Sequence, residues 1–239
     1  MMEIFWHGES EWHHGNTLDC MELPGRVISL VGGGGKTTLL FHLADYFQAK
    51  GLRTAVITTT KIFRPNRVCA DQAQCEAAWA AGEVAVCGED APGGKLSAPD
   101  PVLLEWLLAR AEILLVEADG ARRMACKMPA EHEPVLLPQT DTVIGVMGLD
   151  VLGQPVGDVC FRPEMICQHL GCTMEHLLTP EDLASILLSP TGTRKGVETR
   201  HYFIVLNKCD DPCRLAGGKN VVAHLESLGQ TRNFLTRFQ

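Results

Sequence analysis

Four consecutive glycines, Gly32-Gly33-Gly34-Gly35, run directly into Lys36-Thr37-Thr38. A stretch without side chains lets the backbone come close to a ligand, and its N–H groups can then face an anion. Lys36 adds a cation that can reach the β- and γ-phosphates of a nucleoside triphosphate. The Thr37 hydroxyl is a ligand for Mg²⁺, and Thr38 continues the same turn. Further along, Glu117-Ala118-Asp119-Gly120 closes an apolar run. Acids at such a strand end suit Mg²⁺ coordination or the positioning of water. Spacing does not say whether Glu117 or Asp119 stands closer to the metal.

A third group is Asn207-Lys208-Cys209-Asp210, an N-K-x-D tetrad. An aspartate carboxylate accepts two hydrogen bonds from the guanine N1–H and exocyclic amine, and adenine presents no such pair. Guanine is therefore expected over adenine, so GTP over ATP. Asn207 is expected to contact the base edge or brace the loop, and Lys208 to lie along the base. Thr58-Thr59-Thr60-Lys61 ends another strand, and Lys61 is read as a contact to the phosphates. Arg122, Arg123, Lys127, Glu131, His132 and Glu133 follow the acidic strand, where a nucleotide-sensing loop would sit. Residues adjacent in a chain rarely point at one ion, which weighs against a metal at Glu131-His132-Glu133. His7, His13 and His14 are read as part of a solvated tail.

These groups need elements to hold them. Val27 to Val31 is a short apolar run of the kind buried in parallel sheets. Lys36 to Lys50 follows as a helix, with Leu39, Leu40, Leu43 and Phe47 on one face and Gly51 as its stop. Strands are expected at Thr54–Thr60, Val84–Cys87, Ile113–Val116, Thr142–Met147 and Tyr202–Leu206. Helices are expected at Asp71–Ala81, Pro101–Ala111 and from Thr179-Pro180 to Leu188, the last with a threonine cap and proline in its first turn. The alternative reading of Asn207 to Asp210 is a polar turn that Asp211-Pro212 continues. The alternation predicts an α/β fold, a mostly parallel sheet with helices on both faces. Residues 1–24 are read as a leader of uncertain structure, and 25–239 as one domain.

Composition narrows the partners. A net charge of −8 weighs against sequence-independent nucleic-acid binding and against docking on an anionic membrane. No apolar run reaches the ~18 residues of a spanning helix, and the first residues lack the pattern of an export signal. The expectation is a cytoplasmic protein whose scattered cysteines, with no C-x-x-C pair, are free thiols. A homodimer is compatible with the chain.

The glycine loop is the shortened G-x-x-G-K-T form, resembling loops of Mur-type ligases and of some P-loop NTPases. The spacing of Glu117 and Gly120 resembles the third motif of the GTPase group that contains metal-insertion chaperones, where Gly120 would offer its N–H to the γ-phosphate. A wider set of segments resembles the selenium-dependent molybdenum hydroxylase accessory proteins, a P-loop family. They are the stretch Val27 to Thr38, Thr58 to Phe63, Leu115 to Arg122, Lys127 to Pro134, Thr140 to Asp150 and Leu206 to Asp210. Ala130-Glu131-His132-Glu133-Pro134 and Gly148-Leu149-Asp150 are the more specific among them.

That resemblance implies a role in maturing a molybdenum enzyme that carries selenium, with that enzyme or its cofactor-insertion machinery as partner. The residues themselves reach as far as a Mg²⁺-dependent nucleotide hydrolase with GTP or ATP as substrate. An ATP-dependent ligase or kinase acting on a small molecule, and a non-catalytic nucleotide-gated module, are the competing readings. Asn207 and Asp210 favour the GTPase.

Overall fold

Residues 2–238 are described in the computed structural model. Nine strands form its main sheet: β1 (Met2–Gly8), β2 (Glu11–Gly15), β3 (Val27–Gly32), β4 (Thr54–Thr58), β5 (Ala85–Val86), β6 (Ile113–Glu117), β7 (Thr142–Gly148), β8 (His201–Asn207) and β9 (Asn233–Phe238). Their spatial order is β2-β1-β9-β8-β7-β3-β6-β4-β5. The seven strands from β9 to β5 pair in parallel, whereas β1 and β2 are antiparallel. The fold is α/β with a mostly parallel sheet, consistent with a P-loop NTPase type.

Both faces of the central strands are covered, so these strands read as unbroken apolar runs. Ile28 and Leu30 of β3 pack with one core cluster, and Val27 and Val31 with the other. Helix α1 (Lys36–Ala49) buries Leu39, Leu40, Leu43, Ala44 and Phe47 on the first face. Each large apolar side chain so buried contributes about 1.5–3 kcal/mol relative to exposure. The second face is covered by α2 (Gln72–Ala80), α3 (Pro101–Arg110), α4 (Val156–Val159), α5 (Pro163–Leu170), α6 (Pro180–Leu188) and α7 (Pro212–Ser227). Helix α6 starts with a full capping box, Thr179 and Asp182 bonding each other's backbone N–H.

Two readings of the sequence are corrected. The first residues form a β-hairpin continuous with the sheet, β1 pairing with β9 and β2 with β1, and not a solvated tail. Its turn places Glu9 at φ 51° and Ser10 at φ 72°, both left-handed as a type I′ turn requires. Neither residue is the glycine or asparagine that usually signals such a turn. The histidines of this hairpin are engaged: His7 Nδ1 lies 3.0 Å from Glu226, and His13 stacks on Trp6. The second concerns the alternative in which Asp211-Pro212 continues a polar turn. Asp211 caps α7 by accepting from the Arg214 N–H, and Pro212 takes its first position.

Strand order fixes where the chemistry can sit. From β3 the chain passes through α1 to β4, returns to β6 beside β3, and then crosses to β7 on the other side of β3. The carboxyl ends of β3, β6 and β7 therefore flank a topological switch point, the usual place for a ligand in an open parallel sheet.

Candidate functional site

At the carboxyl end of β3 all four glycines are required by close approach. A Cβ on Gly32 would stand 2.2 Å from the Val146 carbonyl oxygen, and one on Gly33 2.6 Å from that of Met124. On Gly34 it would meet the Gly148 nitrogen at 2.1 Å, and on Gly35 the Asn207 Nδ2 at 2.1 Å. Gly32, Gly34 and Gly35 are also left-handed in φ. The loop is pinned from below: Gly32 N–H donates to Asp119 Oδ2 at 3.0 Å, Gly33 N–H to Val146 O at 2.8 Å and Gly34 N–H to Met124 O at 3.1 Å. Gly35 caps α1 without a side-chain hydrogen bond. The first-turn N–H groups and the positive end of the helix dipole are left for an anion.

Lys36 and Thr37, at the start of α1, meet the acids at the end of β6. Thr37 Oγ1 donates to Glu117 Oε2 at 2.8 Å. Lys36 is 5% exposed; its Nζ donates to Gly32 O at 2.5 Å and lies 3.1 Å from Asp119 Oδ1. The ammonium is misaligned for a hydrogen bond to that oxygen, which is buried without one. Burial raises the Glu117 carboxyl above its usual range, Lys36 and Thr37 oppose this, and the Asp119 charge adds to it. Divalent-cation chemistry fits this donor set: a hydroxyl and two carboxylates, one of which carries the orphaned oxygen.

Behind Asp119 lies a chain of buried charge. Lys127, 1% exposed, places its Nζ 3.0 Å from Asp119 Oδ2, and donates to Gly120 O at 2.7 Å and to Glu133 Oε2 at 2.8 Å. Arg162 donates to the same Glu133 oxygen at 2.8 Å and to Met128 O at 2.9 Å. Burial alone would raise Glu133, yet the hydrogen bonds from Arg162 and Lys127 outweigh it and hold the carboxyl at about 2. The sequence places Lys127 and Glu133 in one long polar segment. Arg162 was missed there, and its only local hint is the proline that follows it.

Glu133→Gln should therefore destabilise the protein by about 3–5 kcal/mol, the usual effect of removing one partner from a buried pair. Because the folded carboxyl titrates below the unfolded value of about 4.3, its contribution is complete above that pH. It is lost as pH falls toward about 2. Urea melts of both proteins between pH 7 and pH 2.5 would show it: the gap should be wide at neutral pH and narrow in acid. An equal gap at every pH would mean that Glu133 acts by packing alone.

The tetrad after β8 divides. Asn207 Nδ2 donates to Gly34 O at 3.0 Å, and its Oδ1 accepts from Lys208 N–H at 2.8 Å and Thr236 Oγ1 at 3.1 Å. Asn207 thus braces the glycine loop. Lys208, in left-handed backbone, donates from Nζ to Asp150 Oδ2 at 2.6 Å. Asp210 is exposed and accepts from Arg214 at 3.3 Å. Gly32 to Thr37, Glu117, Asp119, Gly120 and Asn207 come together. Thr38 and Lys61 are exposed, and Lys61 makes no polar contact among the described residues.

The stretch that carries β3, the glycine loop, the acidic strand end, Glu133 and Arg162 coincides with a protein-family match. The YqeC protein family model matches residues 28–164, more than half of the chain. The chain belongs to the YqeC family. It is also 36% identical over 181 residues to the uncharacterized protein YqeC of Escherichia coli strain K12, covering 72% of this chain and 71% of that protein. Asn207 and Asp210 lie beyond the family-model match, so the loop and its acids form the family portion of the site. No helix among the described residues is long and apolar enough to cross a membrane.

Proposed function

We propose that this YqeC-family protein binds a nucleoside triphosphate with Mg²⁺, GTP in preference to ATP, and hydrolyses it slowly in the service of another protein. The observation that carries this reading is the meeting of two elements: Lys36 and Thr37 at the start of α1 face Glu117 and Asp119 at the end of β6. Phosphate oxygens would be taken by the first-turn N–H groups of α1 and by Lys36, which would exchange the Gly32 carbonyl for them. Thr37, Glu117 and Asp119 would hold Mg²⁺, which when bound neutralises charge on the phosphates. Gly120 follows these acids directly, and its carbonyl is fixed by Lys127. Its N–H would be offered to a γ-phosphate. Asn207 keeps the glycine loop in shape, and Asp210 would read the base.

The resemblance to selenium-dependent molybdenum hydroxylase accessory proteins supports an assembly role, with a molybdenum enzyme or its cofactor-insertion machinery as the client. A second reading, ATP-dependent transfer to a small molecule, draws on the short loop and on the Arg214 contact that already occupies Asp210.

The test is Lys36→Ala. It should weaken Mg²⁺–triphosphate binding at least tenfold, about 1.4 kcal/mol, with the circular dichroism spectrum unchanged. Calorimetric titration giving equal affinities for folded parent and variant would remove the phosphate-loop assignment.

A further inference from the structure

Beside the glycine loop lies a group of cations that the proposed nucleotide chemistry does not use. Arg122 and Arg123 are both left-handed, at φ 48° and 65°, a backbone state that residues with a Cβ rarely adopt. Strain of this kind gathers where a fold holds functional groups in place. The Arg122 guanidinium stands 5.0 Å from the Phe161 ring centre, and that of Arg123 stands 4.6 Å from the Phe63 ring centre. Neither makes a hydrogen bond or ion pair among the described residues. The neighbouring carboxylates are committed elsewhere, Asp90 to Arg64 and Glu133 to Lys127 and Arg162; Glu131 is exposed. In a chain of net charge −8, these two adjacent, exposed arginines without a carboxylate partner are open to an anion.

Their position is tied to the loop. Met124, the next residue, accepts the Gly34 N–H. Phe63, reached from the carboxyl end of β4, is 54% exposed, with Lys95 at 5.9 Å from its ring. A guanidinium laid on a ring keeps its N–H edge free for two parallel hydrogen bonds to a carboxylate or phosphate. The open part of the Phe63 ring offers stacking to a flat apolar group.

We propose that Arg122, Arg123 and Phe63 form a second binding site, for an organic anion that carries a planar ring, at the rim of the glycine loop. The arginines take the anionic group and Phe63 takes the ring. The site stands independently of the nucleotide reading, since Lys36 is no part of it.

Three probes separate the contributions in ligand-observed NMR titrations of the full chain: phenyl phosphate, inorganic phosphate and benzyl alcohol. Phenyl phosphate should bind at least tenfold more tightly than either of the others, and should do so equally in Lys36→Ala. Arg122→Ala/Arg123→Ala should reduce its affinity at least tenfold, and Phe63→Ala should bring it down to that of inorganic phosphate. These side chains are exposed, so the variants keep the fold. Unchanged phenyl phosphate affinity in the double arginine variant would overturn the proposal. So would a loss confined to Lys36→Ala, which would place the probe in the glycine loop.

Discussion

GDP should bind about 10⁴-fold more tightly than ADP under identical Mg²⁺ conditions. That is the discrimination open to a site built on hydrogen bonds that the wrong ligand cannot make. The motive is Asp210, three residues past the asparagine that braces the glycine loop at Gly34. Its carboxylate is exposed and engages Arg214 through one oxygen at 3.3 Å, an i,i+4 pair of the kind worth only a few tenths of a kcal/mol. A base can therefore displace that contact at little cost. Asp210→Asn should weaken GDP and relatively favour xanthine nucleotides, whose 2-oxo group needs a donor. Arg214→Ala should leave the preference for guanine in place. Calorimetry with the two diphosphates measures all of this. ADP binding as tightly as GDP, with Asp210→Asn silent, would make the tetrad an ordinary turn and pass the argument to the ATP-dependent reading.

Hydrolysis should require Mg²⁺ and fall about 10²- to 10³-fold in Glu117→Gln and in Asp119→Asn, the scale on which single preorganised electrostatic groups act. The two variants differ in what else they disturb. Glu117→Gln keeps an oxygen for the Thr37 hydroxyl, so its effect isolates the charge. Asp119→Asn also deprives Lys36 and Lys127 of their shared carboxylate, so a stability measurement must accompany it. Single-turnover rates with GTP are the readout. Parental rates in both would leave the acidic strand end as a feature of the fold alone.

What could be read from the chain depended on how local its signal was. The glycine loop was legible because four glycines and a lysine sit side by side between an apolar run and an amphipathic one. The acids of β6 were legible for the same reason, as a break in an apolar run. Asn207 was recognised as a member of a tetrad, but its bracing contact with Gly34 spans 173 residues and no spacing rule could choose it over a contact to the base. Arg162 carried no sequence pattern, because its function is defined by Glu133 and not by its neighbours. Helix α7 was not legible since an aspartate followed by proline signals a turn and a helix start equally well, and Gly217-Gly218 inside the helix obscured its length. The N-terminal hairpin was hidden by a turn with two charged or polar residues in a conformation that glycine usually takes.

The buried ions that run from the glycine loop to α5 alternate in sign: Lys36, Asp119, Lys127, Glu133, Arg162. Five alternating charges that begin and end with a cation sum to one positive charge, which Glu117, buried beside Lys36, balances when ionised. Its two ends are the members open to a further counter-charge, since each inner member already has a neighbour of opposite sign on either side. Arg162 looks outward through a partly exposed guanidinium, where solvent can supply the balance. Lys36 is enclosed, and at its end of the series Glu117 supplies the balancing carboxylate. An anion that claims Lys36 leaves Asp119, Lys127, Glu133 and Arg162 as two neutral couples.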